Sequence, residues 1–259
     1  LTQRYKSINA YDVFFACGKY QRLEAEKTYE LFGLNRKIYD WGYSLLDDMI
    51  TEYESTKKDE KRKIKSILIA PSWQKDNICD LCLDELLDNL KKKNNYEITV
   101  RPHPQEVRHM REKFELLKEK YKNNKNIIIQ TDFSKTNTIF NADILITDWS
   151  SIGYEYAYTT KKPVIFIDTP IKIMNPNYKD INVEPINIWS RNIIGKSLKT
   201  TELKRINETV DYLLTNGDKY EKDINNLLND SIYNLGNSSQ KGAEYIIELI
   251  QNQINERNK

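Results

Sequence analysis

The stretch 141-NADILITDWSSIGYEYAYTTKKPVIFIDTP-170 decides the fold. Ile144, Leu145 and Ile146 form a short apolar run of the kind that suits a strand buried on both faces. Thr147 and Asp148 end it, Trp149, Ser150 and Ser151 open a helix, and Lys161-Lys162-Pro163 closes that helix before the apolar run Val164 to Ile167. The stretch predicts a strand–helix–strand unit with hydroxyls at the start of its helix. Backbone N–H groups there have no intrahelical partner and the dipole is positive, so an anion can rest on them. Ser150 and Ser151 add hydroxyl donors, and Glu155, one helical turn after Ser151 on the same face, can accept hydrogen bonds from sugar hydroxyls. The same residues also suit plain capping, because Ser or Asp before a helix is ordinarily a cap and a first-turn glutamate complements the dipole.

Working outward, Tyr11 to Cys17 reads as a strand ending at Gly18, Gln21 to Phe32 as a helix closed by Gly33, and Lys37 to Trp41 as a second strand followed by a helix from about Ser44. Glu52 to Lys65 is dense in charge and reads as a linker or solvated helix end, the best candidate domain boundary. The alternation then becomes regular. Strands are expected at Ile67 to Pro71, Tyr96 to Val100 and Asn126 to Gln130, and helices at Asp76 to Lys92, Gln105 to Lys122 and Ser134 to Phe140. This alternation predicts a parallel sheet covered on both faces. Thr169 to Gly195 carries Pro170, Pro176 and Pro185 and reads as a long irregular connection. Helices follow at Leu203 to Asn216, Tyr220 to Leu228 and Gln240 to Asn255, the last capped by Gly236-Asn237-Ser238.

The polar residues fall where such a sheet would use them. Ser72-Trp73-Gln74, Arg101-Pro102-His103-Pro104, Asp132, and Asp148-Trp149-Ser150-Ser151 each follow a predicted strand directly. In a parallel sheet all four lie on the carboxyl edge, where ligands bind. Four polar clusters on one edge favour a binding site over four independent caps.

Composition narrows the class. Lys plus Arg (40) nearly balance Asp plus Glu (38) in 259 residues, which gives no electrostatic case for nucleic acid as a partner. No apolar run approaches the roughly 18 residues that a membrane-spanning helix needs, and no signal peptide is evident. Cys17, Cys79 and Cys82 are too few for a disulfide framework and point to a reducing, cytoplasmic setting. The CxxC of Cys79 and Cys82 has no second Cys or His pair and reads as core packing rather than metal or redox chemistry. The sequence starts at Leu1 rather than methionine and reads as a piece of a longer protein.

The RPHP after a strand, the Asp about thirty residues on, and DILITDWSS followed by GYEYA and KKPVIFI resemble the CDP-glycerol glycerophosphotransferase family. APSWQ at Ala70 to Gln74 and LGNSSQKGA at Leu235 to Ala243 extend the resemblance over about Ile67 to Ile246. It implies an α/β, GT-B-like fold: a Rossmann-type parallel-sheet domain with helices on both faces (residues 53–259) that binds the nucleotide donor. Residues 1–52 would be the remnant of an N-terminal, acceptor-side domain, with GYSLLDD at Gly42 to Asp48 as the crossover. Family members carry a His-Gly motif in the N-terminal domain, and neither His103 nor His109 sits in one.

The resemblance further implies a transferase of teichoic acid or capsule synthesis, acting in the cytoplasm or peripherally on the inner membrane, on a polymer or lipid-linked acceptor. Ser150 and Ser151, in the block with Asp148, would bind the donor diphosphate, Arg101 and His103 would face the same phosphates, and Asp132 would lie near the nucleotide. Ser72 and Gln74 would lie in the loop under the phosphates, with Glu155 at the ribose. An acceptor hydroxyl would attack the β-phosphorus of a CDP-alcohol and CMP would leave. No metal or cofactor is required, and no carboxylate pair is spaced for a metal, since Asp143 and Asp148 are separated by a strand.

Several residues keep two readings. His103 is a general acid on the leaving phosphate, or a histidine held between two prolines to shape the turn. Trp149 stacks on a base or packs in the core. Arg191 is a further phosphate candidate, His109 reads as surface, and Lys161-Lys162 reads as a solvated helix end. Two other functions remain open: a GT-B glycosyltransferase using a UDP- or CMP-sugar, and a nucleotide-binding module without its catalytic half.

Overall fold

The computed structural model describes residue 4 and residues 6–56, 64–93, 95–134 and 137–258. The charged segment offered as a linker falls largely outside the described residues. By packing, the chain divides into two compact units: residues 1–52, 173–189 and 226–259, and residues 53–172 and 190–225. The first unit thus includes two later segments that the sequence reading keeps with the donor domain.

The second unit is built on a sheet of six strands, β3 (Lys65–Ile69), β4 (Tyr96–Val100), β5 (Ile127–Ile129), β6 (Ile144–Thr147), β7 (Val164–Asp168) and β8 (Gly195–Lys199). Their order is β5-β4-β3-β6-β7-β8, and every pairing is parallel. The chain winds outward from β3 to β5, returns to β6 beside β3, and winds outward the other way. The reversal between β3 and β6 is the switch point at which such sheets open a crevice. Unbroken apolar runs form the centre because helices cover both faces: Ile67 to Ile69, Ile144 to Ile146 and Val164 to Ile167 are almost wholly buried. Leu86, Leu87 and Leu90 are buried as well, each contributing roughly 1.5–3 kcal/mol.

Three expectations change. Asp76 to Lys92 is two helices, Ile78–Leu81 and Leu83–Lys91, broken at Cys82 (φ −152°, ψ 9°). Gln105 to Lys122 is likewise two, Pro104–His109 and Arg111–Tyr121, broken at Met110 (φ −127°, ψ 44°). The connection after β7 holds short helices at Ile186–Trp189 and Arg191–Ile194 and leads into β8, a strand absent from the sequence reading. The CxxC lies at the first break. Burial pushes the Cys82 thiol up to about 12 and raises that of Cys79, which suits protonated packing side chains. Among the described residues, no helix is long and apolar enough to cross a membrane.

The first unit pairs β1 (Val13–Ala16) in parallel with β2 (Lys37–Asp40). A two-stranded sheet is marginal alone, and the helix Ser238–Arg257 supports it. Tyr245 packs on Tyr39 (ring centroids 4.4 Å apart) and on Phe15 (6.2 Å). Gly42, at φ +116°, lies so close to Ser238 that a Cβ there would sit 2.3 Å from its Oγ. The start of that last helix is not capped by its own neighbours. Asn237 makes no side-chain cap; instead Asp47, on the helix Ser44–Ser55, accepts from the N–H groups of Gly236 (2.8 Å) and Ser238 (3.0 Å). A carboxylate on a helix N-terminus satisfies orphan donors and complements the dipole. Replacing Asp47 by Ala should cost about 1–2 kcal/mol in urea unfolding, with Asp47→Asn losing less because one acceptor survives.

Candidate donor site on the carboxyl edge

The residues that follow β3, β4, β5 and β6 gather on the carboxyl edge of the sheet, as the parallel pairings require. Asp148, at the end of β6, is 1% exposed. One of its oxygens accepts from the N–H of Ser72 (2.7 Å) and of Trp149 (2.6 Å), the other from the N–H of Ile78 (3.2 Å). Its carboxylate is therefore consumed by main chain and ties the loop after β3 to the end of β6. The place of Asp148 is architectural, beneath the site rather than on it.

Ser72 is held from both sides. Its N–H is on Asp148, and its carbonyl accepts from Asn77 Nδ2 at 2.8 Å. Its Oγ is buried and has no hydrogen-bond partner among the described residues. Two places on, Gln74 reaches across to the carbonyl of Pro170 (3.0 Å), linking this loop to the end of β7. The neighbouring Trp73 is exposed, and its indole lies nearly parallel to both imidazoles, 5.9 Å from His103 and 6.0 Å from His109. His109 thus belongs to an aromatic stack at the site's margin.

Arg101 and His103 lie half-buried after β4. Arg101 donates to Gln130 (3.3 Å) and lies 5.2 Å over the ring of Phe133. Burial lowers its pKa against the opposing pull of Asp132. His103 is the N-cap of the helix Pro104–His109: its Nδ1 accepts from the N–H of Gln105 at 3.1 Å, with Pro104 fixing the first turn. A ring that accepts at Nδ1 carries its hydrogen on Nε2, so His103 is a neutral imidazole with one remaining donor. Burial and the charge of Lys172 both hold its pKa below the ordinary value. The turn-shaping reading and the ligand-facing reading of this histidine therefore apply to different nitrogens.

The helix after β6 runs Ile152–Thr160. Gly153 lets it approach the sheet closely, since a Cβ would meet Phe166 at 3.0 Å and Thr147 at 3.3 Å. Ser151 occupies the N-cap position in helical conformation without a side-chain cap bond and is exposed, and Ser150 makes only a long 3.5 Å contact to the N–H of Ile152. Capping leaves the Ser151 hydroxyl unused and engages that of Ser150 only through this long contact. Glu155 lies half-buried in the first turn. Asp132 is exposed, and its carboxylate accepts from the N–H and Oγ of Ser134, both at 3.0 Å, closing a tight turn.

Arg191 is turned inward. It is 5% exposed, donates to Asp168 (2.7 Å) and to the carbonyl of Asp148 (2.7 Å), and lies 4.0 Å over Trp149 and 4.5 Å over Phe166. These contacts make a clamp that joins the ends of β6 and β7. Trp149 is fixed by the same clamp, with its Nε1 on the carbonyl of Thr169 (2.9 Å), so packing describes it and base stacking does not. The sequence reading passed over Lys172. Burial lowers its ammonium pKa against the pull of Asp148, and its charge acts on His103. A half-buried cation in the loop after β7, on the edge already carrying Arg101, was the available signal. Among the described residues, no group of three or more His, Cys, Asp or Glu side chains is placed to hold a metal ion.

Arg101, the Nε2 donor of His103, Lys172 and the helix start at Ser150-Ser151 give this edge a positive, donor-rich character suited to a diphosphate.

Known proteins share this fold. The profile of the CDP-Glycerol:Poly(glycerophosphate) glycerophosphotransferase family matches residues 3–240. The minor teichoic acid biosynthesis protein GgaB of Bacillus subtilis (strain 168) is 32% identical over a match covering 44% of this chain and 14% of GgaB. A structure of the wall teichoic acid polymerase TagF, soaked with CDPG, is similar in fold (TM-score 0.54, 20% identity) over 98% of this chain and 59% of that one. A crystal structure from Listeria monocytogenes assigned to the UDP-N-acetylglucosamine 2-epimerases has TM-score 0.55 and 16% identity over 95% of this chain and 60% of that one. The chain thus spans less than two thirds of the length of these relatives, and the shared fold is of the GT-B class. On the match over 3–240, the chain belongs to the CDP-glycerol:poly(glycerophosphate) glycerophosphotransferase family.

Proposed function

We propose that the whole protein moves a phosphoglycerol-type group from a CDP-activated alcohol to a hydroxyl of a teichoic acid or capsule polymer. This chain holds the donor on the carboxyl edge of β3 to β7. The observation that carries the reading is the placement of Arg101, His103, Lys172 and the helix-start serines Ser150 and Ser151 after the strands of one parallel sheet, in a chain of this family. Ser150, Ser151 and the helix start take the diphosphate, Arg101 and Lys172 balance its charge, Asp132 and Glu155 lie toward the nucleoside, and Ser72 and Gln74 form the loop beneath. The protein's own cations and dipoles meet the leaving charge, and no cofactor beyond the donor nucleotide is invoked. A soluble CDP-linked donor places the reaction in the cytoplasm, and a lipid-linked acceptor would bring the protein to the inner membrane surface.

The reaction in this reading forms a bond from the acceptor oxygen to the β-phosphorus and breaks the bond from that phosphorus to the bridging oxygen. CMP departs with the electron pair, and the proton of the acceptor hydroxyl passes to water. Negative charge grows on the bridging oxygen, and donors aimed there accelerate the step. His103 serves as a neutral Nε2 donor, not as a proton source. Nδ1 is committed to the cap, and a neutral imidazole that released its Nε2 hydrogen would become a strongly basic anion.

Calorimetric titration with CDP, CMP, UDP and CDP-glycerol tests the assignment. Cytidine nucleotides should bind, and the double variant Ser150→Ala/Ser151→Ala should weaken CDP by about tenfold or more, the scale of a lost charge-assisted contact. Absence of cytidine binding by the unaltered chain would sink the phosphotransferase reading, and binding of UDP alone would point to sugar transfer. The two nitrogens of His103 separate by substitution. His103→Asn keeps a capping acceptor and loses the distal donor, so folding should hold while CDP affinity drops. His103→Gln should instead destabilise the fold by about 1 kcal/mol through the lost cap. Because the folded-state pKa of His103 lies below the usual 6.5, its contribution to stability is full above that value and declines as pH falls through the window beneath it. Denaturation midpoints across pH 5 to 8 should lose this component in His103→Asn.

A further inference from the structure

Behind His103 lies a buried polar chain that the donor contacts do not use. Glu106, in the helix His103 caps, is 3% exposed. One carboxylate oxygen accepts from Asn77 Nδ2 (2.9 Å) and the other from Lys113 Nζ (3.1 Å). Lys113 also pairs with Asp80 at 2.6 Å. Asn77 is wholly buried and fully employed: its Nδ2 donates to Glu106 and to the carbonyl of Ser72, and its Oδ1 accepts from the N–H of Asp80 (3.2 Å). Burial of a carboxylate is costly without such partners, and Glu106 is accordingly held above its usual pKa by desolvation, with Lys113 and Asn77 pulling it back.

The geometry points to Glu106 as a positioning residue. Through Asn77, it fixes the Ser72–Asn77 loop against the Pro104–His109 helix and so sets the stacking of Trp73 on His103. The loop is anchored at two points by buried carboxylates, Asp148 on the Ser72 N–H and Glu106, by way of Asn77, on the Ser72 carbonyl. Trp73 is the next residue, and its indole meets imidazoles at both ends of that six-residue helix. Loss of the inner tie would free the loop to slide relative to the helix, and the indole would leave the imidazole whose Nε2 faces the donor. The consequence for nucleotide binding rests on the donor site proposed above; the loop-to-helix tie does not.

Three substitutions isolate the tie. Glu106→Gln spans the same distance and still accepts from Asn77. Glu106→Met fills the space and cannot accept. Glu106→Asp keeps the charge for Lys113 but is one methylene too short to reach Asn77. The chain has two histidines, both stacked on Trp73, so proton–nitrogen NMR of the imidazoles reads the geometry through the indole ring current and the His103 tautomer through its nitrogen shifts. The unaltered chain and Glu106→Gln should share ring-current-shifted His103 signals and the Nε2–H tautomer, and Glu106→Met and Glu106→Asp should lose the ring-current shift. Calorimetry on the same samples should show CDP affinity within about threefold for Gln and reduced about tenfold or more for Met and Asp. Folded Met or Asp variants with unmoved His103 signals would overturn the proposal, and should Met not fold, Asp decides. If the unaltered chain binds no cytidine nucleotide, the donor-site reading fails while the NMR comparison still decides the role of Glu106.

Discussion

A carboxylate removed from water must be satisfied completely, and Asp148 is satisfied by three backbone N–H groups from two loops. That requirement organises the carboxyl edge. Because the partners are main chain, Asp148 fixes the path of the loop after β3 and not merely the pose of a side chain. Arg191 then bonds the Asp148 carbonyl and reaches Asp168, so the ends of β6 and β7 are joined through one buried guanidinium. Hydrogen bonds to charged groups in low dielectric are the strong ones. His103, Arg101, Ser150 and Ser151 lie on the edge of a frame whose buried Asp148 carboxylate and Arg191 guanidinium are bonded within it.

The division between frame and display accounts for what was legible. Buried parallel strands are uninterrupted apolar runs, so β3, β6 and β7 announce themselves, β4 shows by its alternation, and the rule that parallel strands share a carboxyl edge turned four scattered polar clusters into one place. β8 was missed because Gly195–Lys199 is an edge strand with Lys196 and Ser197 half-exposed, a pattern without a two-sided apolar run. The breaks at Cys82 and Met110 carry no proline or glycine, and the amphipathic pattern runs through both. Residue type singled out Asp148 and Arg191. Direction was hidden, since whether a side chain turns outward depends on partners such as Ser72, 76 residues away from Asp148, that no local pattern links.

His103 shows how a small motif does two jobs. A histidine between two prolines is restricted on both sides, which fixes the turn, and the cap bond fixes the tautomer. Once one nitrogen is assigned by the fold, the other is assigned by default. The chemistry offered outward is a consequence of local backbone geometry, which is why the proposed role moves from acid to neutral donor.

The cap that Asp47 places on the last helix joins residues 191 positions apart. On the ribosome, β1 and β2 emerge well before the helix that covers their aromatic face and before the N–H groups that occupy Asp47. At about 5–20 residues per second the interval is roughly 10–40 s. For that time a two-stranded ribbon bearing Phe15 and Tyr39 waits without its cover. β1 and β2 thus leave the exit tunnel long before their unit can close, and that exposure is a natural point for chaperone capture.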